Sequence, residues 1–335
     1  MNTASNSGQT MRAARIVAPR KVEIDEVARP QPGPLQVRVR VLGCGVCGSN
    51  LPVWRGRPWF SYPFEPGAPG HEGWGRIDEV GAEVTGVSPG DKVAFLSDHA
   101  YAEYDLARAD SLVRLPPRSE IFPGEALGCA VNIFRRCKIQ PGQTVAVVGV
   151  GFLGALLVQL AARCGARVIA LSRRAFALQS ALRCGATEAI ALGKSASVIT
   201  RVMEWTGGAG CHCVIEAAGE QDALDIAGEL VAERGRLVIA GYHQDSPRRV
   251  NMQLWNWRGI DVINAHERDP RRYVAGMKAA AAQVSEGRLD PEPLYTHGFS
   301  LDQIGAAFAA LDERPDGFMK AWVAPPQSEK ASLCG

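Results

Sequence analysis

Charge of one sign is scarce in excess: 37 Lys and Arg face 35 Asp and Glu over 335 residues, a formal net charge of +2. So small an imbalance sets up no field to hold a nucleic-acid backbone or an anionic membrane, and neither is expected as a partner. Long apolar runs are missing too. The longest, Val145 to Val158, has 14 residues including three glycines, short of the ~20 that cross a bilayer. The opening MNTASNSGQT has neither the basic start nor the apolar stretch of a signal peptide, so a cytoplasmic protein is expected. Nine cysteines, an odd number spread along the chain, fit reduced thiols and a few metal ligands better than a disulfide framework. No internal repeat is present, and residues 1–9 and 326–335 read as loose polar ends.

What is present is a globular chain long enough for two domains, with 36 glycines marking tight turns and 46% apolar residues. From Arg12 to about Leu115, short alternating runs such as Gln36 to Val41 are separated by Gly/Pro turns, which reads as a small β-rich, barrel-like module. After Ile139-Gln140-Pro141-Gly142 apolar strands alternate with helical segments, the pattern of a parallel sheet with crossover helices. Strands are predicted at 145–148, 167–171, 188–192, 213–217, 236–240 and 261–265, with helices near 152–164, 176–184, 196–205 and 221–233. Past Asp269-Pro270 the order becomes helix (271–285), strand (296–299), helix (301–311), strand (318–323), which suggests a return to the first domain. The expected fold class is α/β: a β-rich domain over 1–127 completed by 268–335, and a doubly wound dinucleotide-binding domain over 128–267.

Val145 to Gly154 runs from an apolar strand into Gly149-Val150-Gly151-Phe152-Leu153-Gly154 and on into an apolar helix. In this fingerprint Gly149 makes the tight turn, Gly151 lets backbone approach a pyrophosphate, Gly154 allows close helix packing, and the helix start at Phe152 and Leu153 receives the anion. An NAD enzyme would end its second strand, Arg167 to Leu171, with an acid for the ribose hydroxyls. Ser172 stands there, followed by Arg173 and Arg174. A hydroxyl beside guanidinium groups suits a 2′-phosphate, so NADP is expected over NAD. Upstream, Cys47-Gly48-Ser49-Asn50 and Gly70-His71-Glu72-Gly73 supply a thiolate, an imidazole and a carboxylate, the ligand types of a catalytic zinc.

These two motifs, the fingerprint, and their order resemble the zinc-containing medium-chain dehydrogenases, the alcohol and polyol dehydrogenase superfamily, over about residues 12–325. The resemblance implies a GroES-like catalytic domain with one zinc, a Rossmann domain, and a homodimer or homotetramer. It implies that Cys47 and His71 bind zinc, that Glu72 binds or exchanges with it, and that Ser49 relays the substrate proton. It also implies a further ligand before the Rossmann strand. A gap-free count back from Gly149 selects Glu125, the polyol-type glutamate, with Cys129 one helical turn further as the alternative.

Two departures stand out. Phe95 to Pro116 contains no cysteine, so the family's structural zinc is not expected, and Pro52 occupies the place of a relay histidine. The other histidines, 99, 212, 243, 266 and 297, read as structural or surface, with His99 the one candidate near substrate. Cys211 and Cys213 flank His212 on alternate faces of a strand, which does not favour a metal site. Trp54, Arg55, Trp59, Phe60 and Tyr62 form either a substrate wall or an aromatic-anchored loop, and Asn50 with Arg55 permits a polyol as readily as an aromatic alcohol. The expected activity is hydride transfer between a small alcohol and NADP or NAD. A zinc-free quinone or enone reductase and a non-catalytic dinucleotide-binding protein are the alternatives.

Overall fold

The computed structural model describes residues 9–116 and 120–326. They fall into two compact units: residues 9–116 and 120–125 with His297–Glu313 and 321–326, and Ala126–Thr296 with Arg314–Lys320.

The first unit opens with a hairpin, β1 (Thr10–Ala18) and β2 (Lys21–Ala28). Next come β3 (Gln36–Val46), the short helix α1 (Leu51–Trp54), β4 (Glu72–Val80), β5 (Lys92–Phe95), β6 (Tyr104–Arg108) and β7 (Leu112–Arg114). A seven-stranded sheet runs Tyr295–Ser300, Lys320–Ala324, β3, β4, β5, β7, with β6 paired to β3. Its long middle strands carry the alternation visible in the sequence: Val37, Val39 and Val41 of β3 are all buried. The two ligand motifs sit at ends of these strands, Cys47 directly after β3 and His71 directly before β4, and Gly45 pairs with Glu72 across the ladder. Strand pairing thus brings together residues 24 apart in sequence.

A buried acid in this unit gives the fold a pH dependence. Burial of Asp105 raises its carboxyl to about 6, against the opposing pull of hydrogen bonds from the Ser97 hydroxyl and the Leu106 amide. A folded-state value above the ordinary 3.8 means the native state holds the proton more tightly, so what Asp105 contributes to stability is full below about 3.8 and is lost as pH rises through about 6. Asp105→Asn is therefore expected to stabilise the protein at pH 8 by roughly 2–3 kcal/mol, with the gain shrinking between pH 6 and pH 4. Thermal unfolding across that range checks it, and a gain independent of pH would show that ionisation of Asp105 is not the cause.

In the second unit α2 (Gly124–Cys137) leads into β8 (Thr144–Val148), α3 (Phe152–Arg163), β9 (Arg167–Ser172), α4 (Ala175–Arg183), β10 (Glu188–Ala191), α5 (Ser195–Trp205) and β11 (Cys211–Glu216). It continues with α6 (Gln221–Leu230), β12 (Val231–Ile239), α7 (Met252–Arg258), β13 (Asp261–Asn264) and α8 (Pro270–Ser285). The six strands are all parallel in the order β10-β9-β8-β11-β12-β13. Every residue of β8 is buried, as a central parallel strand covered on both faces requires. The predicted helix over 221–233 stops at Leu230, because Val231 already pairs with Cys211 and Arg234 takes a left-handed φ of 55°. The second unit runs on to Thr296 and includes α8, which is tied to α2 by Asn132 Nδ2 donating to the Arg272 carbonyl at 2.8 Å. No helix among the described residues is long and apolar enough to cross a membrane.

Candidate metal and dinucleotide sites

Cys47, His71 and Glu72 offer one ligand atom each, and those atoms all lie within 4.8 Å of one another. A sulfur, an imidazole nitrogen and a fully buried carboxylate gathered within that limit suit one tetrahedral metal ion, whose bonds of about 2.0–2.3 Å put donors roughly 3.3–3.8 Å apart, so a small inward adjustment closes them on a common centre. The His71 tautomer follows from its neighbours. Nδ1 lies 2.9 Å from the Pro69 carbonyl, which can only accept, so Nδ1 carries the proton and the Nε2 lone pair is presented. Burial pulls the His71 imidazole down, yet Cys47, Glu125 and Glu72 together push it up to about 10. Negative charge gathered around one imidazole fits a divalent cation, which takes the place of the proton. Glu125, in the first turn of α2, belongs to this charge cluster.

The loops that carry the ligands are tied by a network the sequence did not reveal. The Asn50 side chain accepts from the Cys47 amide at 3.3 Å and donates to the Pro69 carbonyl at 3.3 Å. Tyr101, itself buried, donates its hydroxyl toward Asn50 Oδ1 at 2.9 Å. Pro69 O thus receives both Asn50 and His71, which fixes one ligand against the loop of the other. Ser49 Oγ lies 3.3 Å from His71 Nε2, so its hydroxyl faces the donor cluster. His99 is exposed, and its backbone bridges to Gly70.

The aromatic stretch after α1 divides in two. Trp54 is buried and stacks on Phe308 at 5.3 Å, and Tyr62 donates its hydroxyl to the Val53 carbonyl. Arg55 is held by Asp312, whose carboxyl also takes Arg20. Asn50 and Arg55, the two side chains that would read the extra hydroxyls of a polyol, are therefore committed to protein partners. Trp59 is half exposed and tilts against Phe60.

In the second unit the fingerprint has the backbone its glycines predict. Gly149 has φ 100°, and a Cβ on Gly154 would lie 2.1 Å from the Gly149 carbonyl oxygen. A Cβ on Gly151 would meet nothing within 4 Å, so that side of the turn is open to a pyrophosphate before the first turn of α3, where Phe152 and Leu153 stand. Ser172 ends β9, buried, its hydroxyl accepting from the Arg174 amide at 3.3 Å. Arg173 is exposed, whereas Arg174 donates to the carbonyls of Phe318 and Val150. Cys129 lies on α2 one turn beyond Glu125. Cys211 and Cys213 are buried, and His212 accepts the Thr144 amide at 3.1 Å across to β8.

Comparison with known proteins agrees with both units. Residues 33–117 match the alcohol dehydrogenase GroES-like domain and residues 153–282 the zinc-binding dehydrogenase domain. An alcohol dehydrogenase of Rhizobium meliloti (strain 1021) is 30% identical over 251 residues, 65% of this chain and 73% of that one. The 5-exo-hydroxycamphor dehydrogenase of Pseudomonas putida is 30% identical over 352 residues, 89% of this chain and 95% of that one. A crystal structure of a zinc-binding dehydrogenase from Sinorhizobium meliloti 1021, bound to NADP, superposes with a TM-score of 0.83 at 25% identity, covering 95% of this chain and 100% of the other. With a GroES-like sheet carrying the Cys47–His71–Glu72 cluster and a Rossmann sheet carrying the glycine fingerprint, the chain belongs to the zinc-containing medium-chain dehydrogenase superfamily.

Proposed function

We propose that this oxidoreductase is a zinc-dependent alcohol dehydrogenase that prefers NADP(H) to NAD(H). The observation that carries the reading is the cluster of Cys47, His71 and Glu72 donors within 4.8 Å. A zinc-free quinone or enone reductase has no use for it. When bound, zinc supplies Lewis acidity that lowers the alcohol pKa or polarises the carbonyl, and the nicotinamide supplies the hydride donor or acceptor. Cys47, His71 and Glu125 hold the metal, Glu72 binds or exchanges beside them, and Asn50 and Tyr101 keep the two ligand loops in register. Ser49 takes the proton from the substrate hydroxyl. Gly149, Gly151 and Gly154 with the start of α3 bind the pyrophosphate. The commitment of Asn50 and Arg55 to protein partners favours an alcohol with an apolar skeleton over a polyol. One zinc per chain by elemental analysis, with alcohol-dependent reduction of NADP, tests the reading, and an active protein without zinc overturns it. A homodimer or homotetramer is expected of the assembly and is read by light scattering.

Cofactor preference rests on the end of β9. An acid there would repel a 2′-phosphate; Ser172 does not, and the exposed Arg173 is free of the backbone ties that hold Arg174. One charge-assisted hydrogen bond of about 1.5–3 kcal/mol separates the cofactors by about 10- to 100-fold. Arg173→Ala is accordingly expected to raise the KM for NADPH about tenfold or more while leaving that for NADH nearly unchanged. Equal efficiency with NAD(H) in the unaltered enzyme would refute the preference.

A further inference from the structure

The buried carboxylate that ends β11 belongs to neither site. Glu216 has no solvent exposure, and it is the last residue of the strand, opposite Val148, the last residue of β8. The sheet order changes direction between β8 and β11, which makes this the crevice where open α/β sheets take their ligands. The loop that follows packs on the fingerprint: a Cβ on Gly149 would lie 2.7 Å from the Ala218 amide nitrogen. Glu216 Oε1 shapes that loop by accepting the amides of Ala218 and Gly219, both at 2.8 Å.

The other oxygen, Oε2, lies 2.8 Å from His243 Nε2, and His243 Nδ1 accepts from Arg248 Nε at 2.8 Å. Arg248 then closes the ring by donating to the Gly219 carbonyl at 2.8 Å, and it also pairs with Asp245. Since Arg248 can only donate, His243 holds its proton on Nε2 and passes it toward Glu216. The buried Glu216 carboxyl thereby gains a hydrogen bond on Oε2 beside the two amides on Oε1, and the imidazole links it to a guanidinium. Both ends of the chain of bonds converge on Ala218 and Gly219, one through amides and one through a carbonyl.

We infer that Arg248, His243 and Glu216 form a positioning brace that holds the loop after β11 in the shape the dinucleotide requires, with His243 as its link. The inference rests on the dinucleotide-binding reading above. Losing the link lets the loop leave its binding-competent shape, and if the competent fraction falls to about a tenth, the apparent Kd for cofactor rises about tenfold. Glutamine at 243 can donate to Glu216 and accept from Arg248 with its two amide atoms; alanine can do neither.

The test titrates full-length protein, unaltered, His243→Ala and His243→Gln, with NADPH and NADH by fluorescence, and follows amide exchange over residues 217–221. The expected result is a Kd for both cofactors about tenfold higher in His243→Ala, with faster exchange in 217–221, and recovery of both in His243→Gln. An unchanged Kd in His243→Ala, or equal weakening by alanine and glutamine, overturns the brace. Failure of the unaltered protein to bind either cofactor overturns the dinucleotide reading itself, and the two failures are thus told apart.

Discussion

Replacing Cys47 with serine is expected to leave a folded chain that no longer keeps its zinc and turns over alcohol at least about 10³-fold more slowly, the rate equivalent of several kcal/mol of Lewis-acid stabilisation. A thiolate binds zinc strongly because it is soft and already deprotonated near neutral pH once the metal is present, whereas a serine hydroxyl keeps its proton. The substitution spares the loop. Cys47 meets Asn50 through its backbone amide, and that bond does not depend on the side chain. Elemental analysis and steady-state kinetics on the same preparation check the expectation; full zinc occupancy in Cys47→Ser would remove Cys47 from the ligand set, and two zincs per chain in the unaltered enzyme would overturn the single-site reading. The further ligand is separated by a pair of variants. Glu125 contributes to the charge around His71, so Glu125→Gln is expected to release metal while Cys129→Ala retains it. The opposite outcome would transfer the role to Cys129.

How far the sequence carried this reading depended on whether a residue's partners lay close in sequence. The fingerprint strand, its three glycines and the following helix were legible because turn geometry and helix start are local, and β8, α3 and β9 lie within a residue or two of expectation. The ligand motifs were legible as residue types, but their meeting depends on the β3–β4 ladder, which sequence spacing does not specify. The aromatic loop was ambiguous because its anchors are distant: Trp54 stacks on Phe308, and Arg55 reaches Asp312, 257 residues away. His243 read as an ordinary histidine for the same reason. Its one local signal was the acid Glu216 closing the apolar run Cys213 to Ile215, a position where a charge needs a buried partner. The helix α7 was missed because Met252 to Arg258 is short and exposes Met252 and Trp257, so it lacks a clean apolar face.

The proton path gives the second large effect. Cys47 caps a single turn of 3₁₀ helix, Gly48–Asn50, and this turn aims the Ser49 hydroxyl at the donor cluster, 3.3 Å from His71 Nε2. A hydroxyl there can accept the proton of a substrate alcohol and pass its own onward. Alanine offers no such exchange. Ser49→Ala is therefore expected to lower kcat by about 10²-fold, the low end for a positioned proton-transfer group. Zinc content should stay at the unaltered level, because Ser49 supplies none of the donor atoms. Ser49→Thr retains the hydroxyl and is expected to recover most of the loss, which separates proton transfer from a packing defect. Pro52 offers neither donor nor acceptor on its side chain, so the onward route does not run through that position. The measurement needs a deuterated alcohol: a primary isotope effect on kcat shows that hydride transfer limits turnover, and only then does an unchanged kcat in Ser49→Ala mean that the proton leaves by another group.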